Sequence, residues 1–213
     1  IARRQRQMCI RDRIDTKFHK CIMNTDLMQR CHQTTLSQDT GNWMDHIMKV
    51  SEAVVFITGG NRGLGLAMAR EARRQGAKKI YVGMRQIGSF QEEGLTPIQL
   101  DVNDEASIQQ AAEQCADTTI LVNNAGIALL NEHPVDASII TTTQKILETN
   151  LLGLMRVTQI FVPILQKNQQ AYVVNILSDV SWEPSTVLTS YAISKAAAWS
   201  YTCLLYTSDA ADE

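Results

Sequence analysis

Tyr191 and Lys195 stand four residues apart in "SYAISKAAAWS", Ser190 to Ser200, an alanine-rich stretch that reads as a helix. Residues i and i+4 share one helix face, so the phenol and the ammonium point the same way. A free tyrosine ionises near pH ~10, and a neighbouring cation favours its phenolate. The pair therefore suits acid–base chemistry closer to neutrality than a lone tyrosine does. Pairs of this kind are common on amphipathic helices, so the weight comes from what precedes it. Ser178 ends an apolar run 13 positions before Tyr191, and Asn150 sits within "ETNLLGLMRV". Further back, "TGGNRGLG" runs from Thr58 to Gly65.

Positioning such groups requires a scaffold, and the chain from Ala53 onward spells one. "AVVFITGG" is a β-branched run ending in glycines, a buried strand and turn. "NRGLGLAMAREARRQGA" follows with helical periodicity, and Gly76 suits its C-terminal end. "KKIYVGM" and "TPIQLDV" read as the second and third strands, with a polar helix start at Asp104. "TTILVNNAG" is a fourth strand, a long helical stretch covers Thr141 to Gln166, and "AYVVNILS" is a fifth strand before the Tyr191 helix. Strands alternating with helices predict a doubly wound parallel α/β domain, with ligands beyond the carboxyl ends of the strands. In such a turn, the glycines of T-G-x-x-x-G-x-G (Thr58, Gly59, Gly63, Gly65) let backbone approach a pyrophosphate at a helix N-terminus.

Together these pieces resemble the short-chain dehydrogenase/reductase family. "TGGNRGLG", "LDV", "NNAG", "ETN", Ser178 and "YAISK" follow the family's order and spacing, over about Val50 to Thr202. The resemblance implies a Rossmann-like three-layer αβα fold and a nicotinamide-dependent oxidoreductase acting on a carbonyl or alcohol. It also implies a tetrad of Asn150, Ser178, Tyr191 and Lys195. Tyr191 would act as general acid or base and also contact the cofactor, and Lys195 would also hold the nicotinamide ribose. Ser178 would bond the substrate oxygen, and Asn150 would hold a water near Lys195. Asn61, Arg62 and Leu64 complete the glycine cradle. Asp101 and Val102 resemble the pair that contacts adenine, and Asn123, Ala125 and Gly126 would floor the nicotinamide side. NAD-preferring relatives carry an acid at the end of strand two; here Met84 stands there and Arg85 follows. Arg62 and Arg85 could pair with a 2′-phosphate, so NADP(H) is expected over NAD(H). A non-catalytic NADP-binding redox sensor is the alternative, and the presence of both Tyr191 and Lys195 weighs against it.

The chain has 213 residues, a formal charge of −2 and five cysteines, an odd count. No apolar run approaches the ~20 residues of a membrane span, and nothing basic enough to draw nucleic acid stands out. A cytoplasmic protein with free thiols is expected, with a small-molecule substrate and a homodimeric or homotetrameric assembly. Residues 1–47 differ in register: eight Lys and Arg against five Asp, no glutamate, and three of the four histidines. They are read as a non-domain extension, with the domain over 48–202 and a non-native-looking tail over 203–213. Cys21, Cys31, His32 and His46 lack zinc-ligand spacing, so no metal site is expected. Both terminal strings, "RQRQMCIRDR" and "CLLYTSDAADE", look like translated sequencing-adapter readthrough, which would make Met48 the native start. The helix is expected to give way after Thr202. Family members continue beyond that point with further strands, so the sheet is read as incomplete and this chain, as given, as an inactive fragment.

Overall fold

The computed structural model describes residues 48–130 and 133–209, all within one compact unit, Trp43–Glu213. The four candidate zinc ligands lie outside the described residues. Five apolar runs form strands: β1 Val54–Thr58, β2 Lys79–Met84, β3 Thr96–Gln99, β4 Ile120–Asn123 and β5 Tyr172–Asn175. All pairs are parallel, in the order β3-β2-β1-β4-β5. The order reverses between β1 and β4. Chains leaving those two strands diverge and open a crevice at their carboxyl ends.

Helices connect the strands: α1 Gly63–Arg74, α2 Glu105–Gln114, α3 Ile139–Leu147, α4 Leu154–Leu165 and α5 Thr189–Asp209. A 3-10 turn covers Asp179–Ser181. Local chemistry sets their ends. Asp104 caps α2 by accepting the Ala106 N–H at 3.0 Å. After α1, Gly76 adopts φ +80. There the Gly76 and Ala77 N–H groups return to the Arg73 and Ala72 carbonyls, a glycine C-terminal motif that satisfies otherwise orphaned acceptors.

Phe56, Leu121, Val157 and Phe161 are fully buried between the sheet and the face formed by α2 and α4. The Phe56 and Phe161 ring centroids lie 4.7 Å apart. Alternate residues of the same strands, Val55, Ile57 and Val82, are buried on the other side, where α1 packs on β1 and β2. Burial on both faces is why these strands read as unbroken apolar runs rather than alternating ones. Among the described residues β5 pairs only with β4. No described helix is long and apolar enough to cross a membrane.

Three sequence expectations change. The third strand stops at Gln99, although the Leu100 N–H still reaches Met84 O at 2.8 Å. The long helix after β4 is interrupted by a π-helical turn, Glu148–Gly153. The last helix does not give way after Thr202 but continues to Asp209. No glycine or proline follows Thr202 to stop it.

Cys115 is fully buried, and burial pushes its thiol up to about 12. A thiol that stays protonated is unreactive. Iodoacetamide at pH ~8 should therefore spare Cys115 in the folded chain and modify it after denaturation, as peptide mass mapping would show.

Candidate active site

The glycine turn is bolted to its neighbours. The Thr58 hydroxyl accepts the Asn124 and Ala125 N–H groups at 3.0 and 2.9 Å. In return, Asn124 Nδ2 donates to the carbonyls of Thr58 at 2.9 Å and Gly59 at 3.1 Å. On the other side the Gly60 N–H donates to Gly83 O at 3.2 Å. Gly59 and Gly63 have φ +65 and +55, values that favour glycine. A Cβ on Gly65 would sit 2.4 Å from Gly59 O, whereas one on Gly63 would meet nothing within 4 Å. The turn is thus closed beneath and open above. Arg62, the residue before α1, is extended and makes no capping bond. Uncapped N–H groups beside open space form a cradle that fits a phosphate. Asn61 is half-buried in this turn, and Leu64 is exposed.

Arg85 follows buried Met84 at the end of β2 and is exposed, as is Arg62. The Gly60–Gly83 bond ties their segments together, with each arginine two residues beyond it. Arg70 and Arg74 pair with Glu92 and Glu71. Arg62 and Arg85 form no ion pair among the described residues. Asp101 accepts the Asn103 N–H at 2.9 Å, and its own N–H goes to Ser107 Oγ. The Val102 side chain is buried, and a Cβ on Gly153 would lie 2.9 Å from it.

At the end of β4, Asn123 turns its side chain into the core. Its Nδ2 donates to Thr158 Oγ1 and Asn175 Oδ1, both at 2.9 Å. Only its backbone is left to shape the crevice, together with Ala125 and Gly126. A Cβ on Gly126 would crowd Asn150 Oδ1 at 3.2 Å.

Asn150 is buried in the π turn, a distortion often found at functional sites. Its Oδ1 accepts the Ile127 N–H at 2.8 Å, and its Nδ2 donates to Ile127 O at 2.9 Å and to Ser194 Oγ at 3.0 Å. Both amide hydrogens are spent on protein. The side chain therefore clips the loop after β4 to α5, and any water at this residue must use an acceptor.

Lys195 is 4% exposed, and its Nζ donates to Ile176 O at 2.6 Å. The same Nζ lies 5.7 Å from the ring centroid of half-buried Tyr191. An ammonium out of water is costly. Here it lies over the face of the phenol ring, a cation–π contact. Ser178 is half-buried at the strand exit and donates its hydroxyl hydrogen to Asp179 Oδ1 at 3.0 Å.

Several site residues had no assigned role in the sequence. Asn124 ties the turn together. Ser194, fully buried, accepts from Asn150 and donates to Tyr191 O at 2.8 Å. Ser190, also fully buried, bonds Thr143 of α3 at 2.9 Å. Ser190 and Ser194 flank the tyrosine and lysine one position ahead of each, a spacing visible in "SYAISK".

Comparison with known proteins gives one family. A family model described as short chain dehydrogenase matches residues 53–209. A relative named short chain dehydrogenase tazN, from Aspergillus terreus, is 35% identical over 80% of this chain and 41% of its own. The chain spans 57% and 63% of the next two curated relatives. A short chain dehydrogenase from Burkholderia cenocepacia, solved in complex with NADP, superposes with TM-score 0.68 at 28% identity, covering 73% of this chain and 65% of the other. One from Burkholderia phymatum, solved in complex with NAD, shares the fold with TM-score 0.67 at 23% identity, covering 76% and 62%.

Proposed function

This chain belongs to the short chain dehydrogenase family, and on that premise we propose that it carries the catalytic and cofactor-binding half of an NADP(H)-dependent oxidoreductase. The reaction interconverts a carbonyl and an alcohol on a small molecule. The observation that supports it best is buried Lys195, held on Ile176 O and facing the Tyr191 ring at 5.7 Å.

The bound dinucleotide would supply or accept the hydride. Thr58 to Gly65 would hold its pyrophosphate through backbone N–H groups at the start of α1, and Lys195 would hold a ribose hydroxyl. In the reducing direction Tyr191 gives its proton to the developing alkoxide oxygen; in the oxidising direction it takes that proton from the alcohol. The Lys195 charge lowers the cost of the phenolate in both directions. Ser178 bonds the substrate oxygen, where charge develops. Asn150 keeps the loop after β4, which forms one wall, in register with α5.

Cofactor choice rests on Arg62 and Arg85, exposed and without an ion pair among the described residues, beside the buried Met84. A carboxylate at the Met84 position would repel a 2′-phosphate, and a guanidinium can pair with it. Arg85→Ala should weaken NADPH binding by about 2–3 kcal/mol, as for truncating a charge-assisted contact, and leave NADH nearly unchanged. Fluorescence titration with both cofactors tests this, and equal affinity of the parent chain for the two would sink the assignment. The activity itself is tested by following NADPH absorbance with a panel of ketones and aldehydes. Tight binding without turnover on any of them by the whole protein would favour a redox sensor instead.

A further inference from the structure

We infer that Thr202 is a positioning residue: with Asn175 it fixes the rotation of α5, so that Lys195 lies against Ile176 O and beside Tyr191. The inference rests on the catalytic reading of that pair. Its starting point is a stripe on α5. Tyr191, Lys195, Ala198 and Thr202 are spaced by four, three and four residues, which puts them on one helix face. Lys195, Ala198 and Thr202 are all buried there.

Two consecutive residues of the β5 end grip this stripe two turns apart. Asn175 Nδ2 donates to Thr202 Oγ1 at 3.0 Å, and Lys195 Nζ donates to the carbonyl of the next residue, Ile176, at 2.6 Å. The grip extends inward. Asn175 Oδ1 accepts from Asn123 Nδ2, and the same Nδ2 donates to Thr158 on α4. Thr158 and Thr202 each return their hydroxyl hydrogen to the carbonyl four residues back, at 2.8 and 2.7 Å. One continuous chain of hydrogen bonds thus runs from α4 through β4 and β5 to α5. All four side chains, Thr158, Asn123, Asn175 and Thr202, are at most 5% exposed.

Packing supplies only part of this angular control. Among the described residues of α5, those buried besides Lys195 and Thr202 are Ser190, Ala192, Ser194 and Ala198, while the large side chains Trp199 and Tyr201 are only half-buried. The small buried side chains interdigitate little, so a helix bearing them can roll at low cost. Directional bonds from Asn175 to Thr202 and from Lys195 to Ile176 O add the rest. A roll would carry Lys195 Nζ away from the phenol and weaken the field on Tyr191.

The test uses the full chain and the variants Thr202→Val, isosteric but without the hydroxyl, Thr202→Ala and Thr202→Ser. The first readout is phenolate absorbance against pH, each protein being compared with the same protein carrying Tyr191→Phe. That subtraction removes the other tyrosines, including Tyr201 on α5 and Tyr172 on β5. The remaining titratable groups on elements packed against α5 are Lys145 on α3, Glu148 in the π turn, paired with Arg156, and Asp179 on the 3-10 turn. All are unchanged in every variant.

Thr202→Val should move the Tyr191 midpoint upward, towards that of a free tyrosine. It should lower kcat about tenfold, as expected for a displaced catalytic group, and weaken NADPH as Lys195 leaves the ribose, with substrate KM within about twofold. Thr202→Ser should restore all three. An unchanged midpoint in folded Thr202→Val, or failure of serine to restore it, overturns the inference. So does failure of both hydroxyl-free variants to fold, which would make the hydroxyl a stability residue. If the parent chain turns over no carbonyl, the phenolate titration alone decides whether Thr202 controls the pair, and an unchanged midpoint still overturns the inference.

Discussion

Replacing Tyr191 by phenylalanine should cut carbonyl turnover by about 10²–10⁴-fold, the usual worth of a positioned acid–base group. The change removes one oxygen and keeps the ring that faces Lys195 Nζ at 5.7 Å. Packing of α5 should survive, because Lys195 remains on Ile176 O and Ser194 still bonds the residue-191 carbonyl. NADPH affinity should change little, since the glycine cradle is untouched. Single-turnover kinetics with excess NADPH separate these effects: the chemical step should slow while the binding step does not. A Tyr191→Phe protein with near-parental turnover would overturn the mechanism.

The second large effect is expected at Gly65. An added methyl would stand 2.4 Å from Gly59 O and 2.5 Å from Asn124 Nδ2. Neither can yield cheaply. Gly59 O is backbone, and Asn124 Nδ2 is the bolt between the glycine turn and the loop after β4. Gly65→Ala should therefore destabilise the domain by about 1–3 kcal/mol, as for overpacking, and weaken NADPH about tenfold or more through the displaced cradle. Gly63→Ala makes the informative contrast. Its methyl enters open space, so its cost is the strain of φ +55 alone, about 1–2 kcal/mol. Thermal melts and NADPH titrations of the two variants decide the point. Equal behaviour would show that backbone strain, not the close approach at Gly65, sets the requirement for glycine.

Much of this architecture was legible in the residues. Five apolar runs separated by helical periodicity specify a parallel doubly wound sheet, because only strands covered on both faces lack polar alternation. The tyrosine and lysine spacing specified their shared face, because 3.6 residues per turn leaves no other arrangement within a helix. The glycine spacing specified a turn that backbone can enter closely. The helix end expected after Thr202 does not occur, because the residues beyond it contain neither glycine nor proline, and α5 runs on to Asp209.

Tertiary structure alone decided how those pieces lock together. The partners of Asn150 lie 23 and 44 residues away, at Ile127 and Ser194. Asn124 reaches back 66 residues to Thr58, and Thr202 reaches back 27 to Asn175. Local pattern carries no information about such pairs, since a polar residue in a buried stretch could bond any acceptor the fold brings near. The π turn at Glu148–Gly153 was equally silent, because "ETNLLG" has ordinary helical composition. The residues thus determined the elements and the chemistry each could offer. Packing of α5 against β5, α3 and the π turn decided which donor meets which acceptor, because hydrogen bonds between elements exist only once apolar burial has brought the elements into contact.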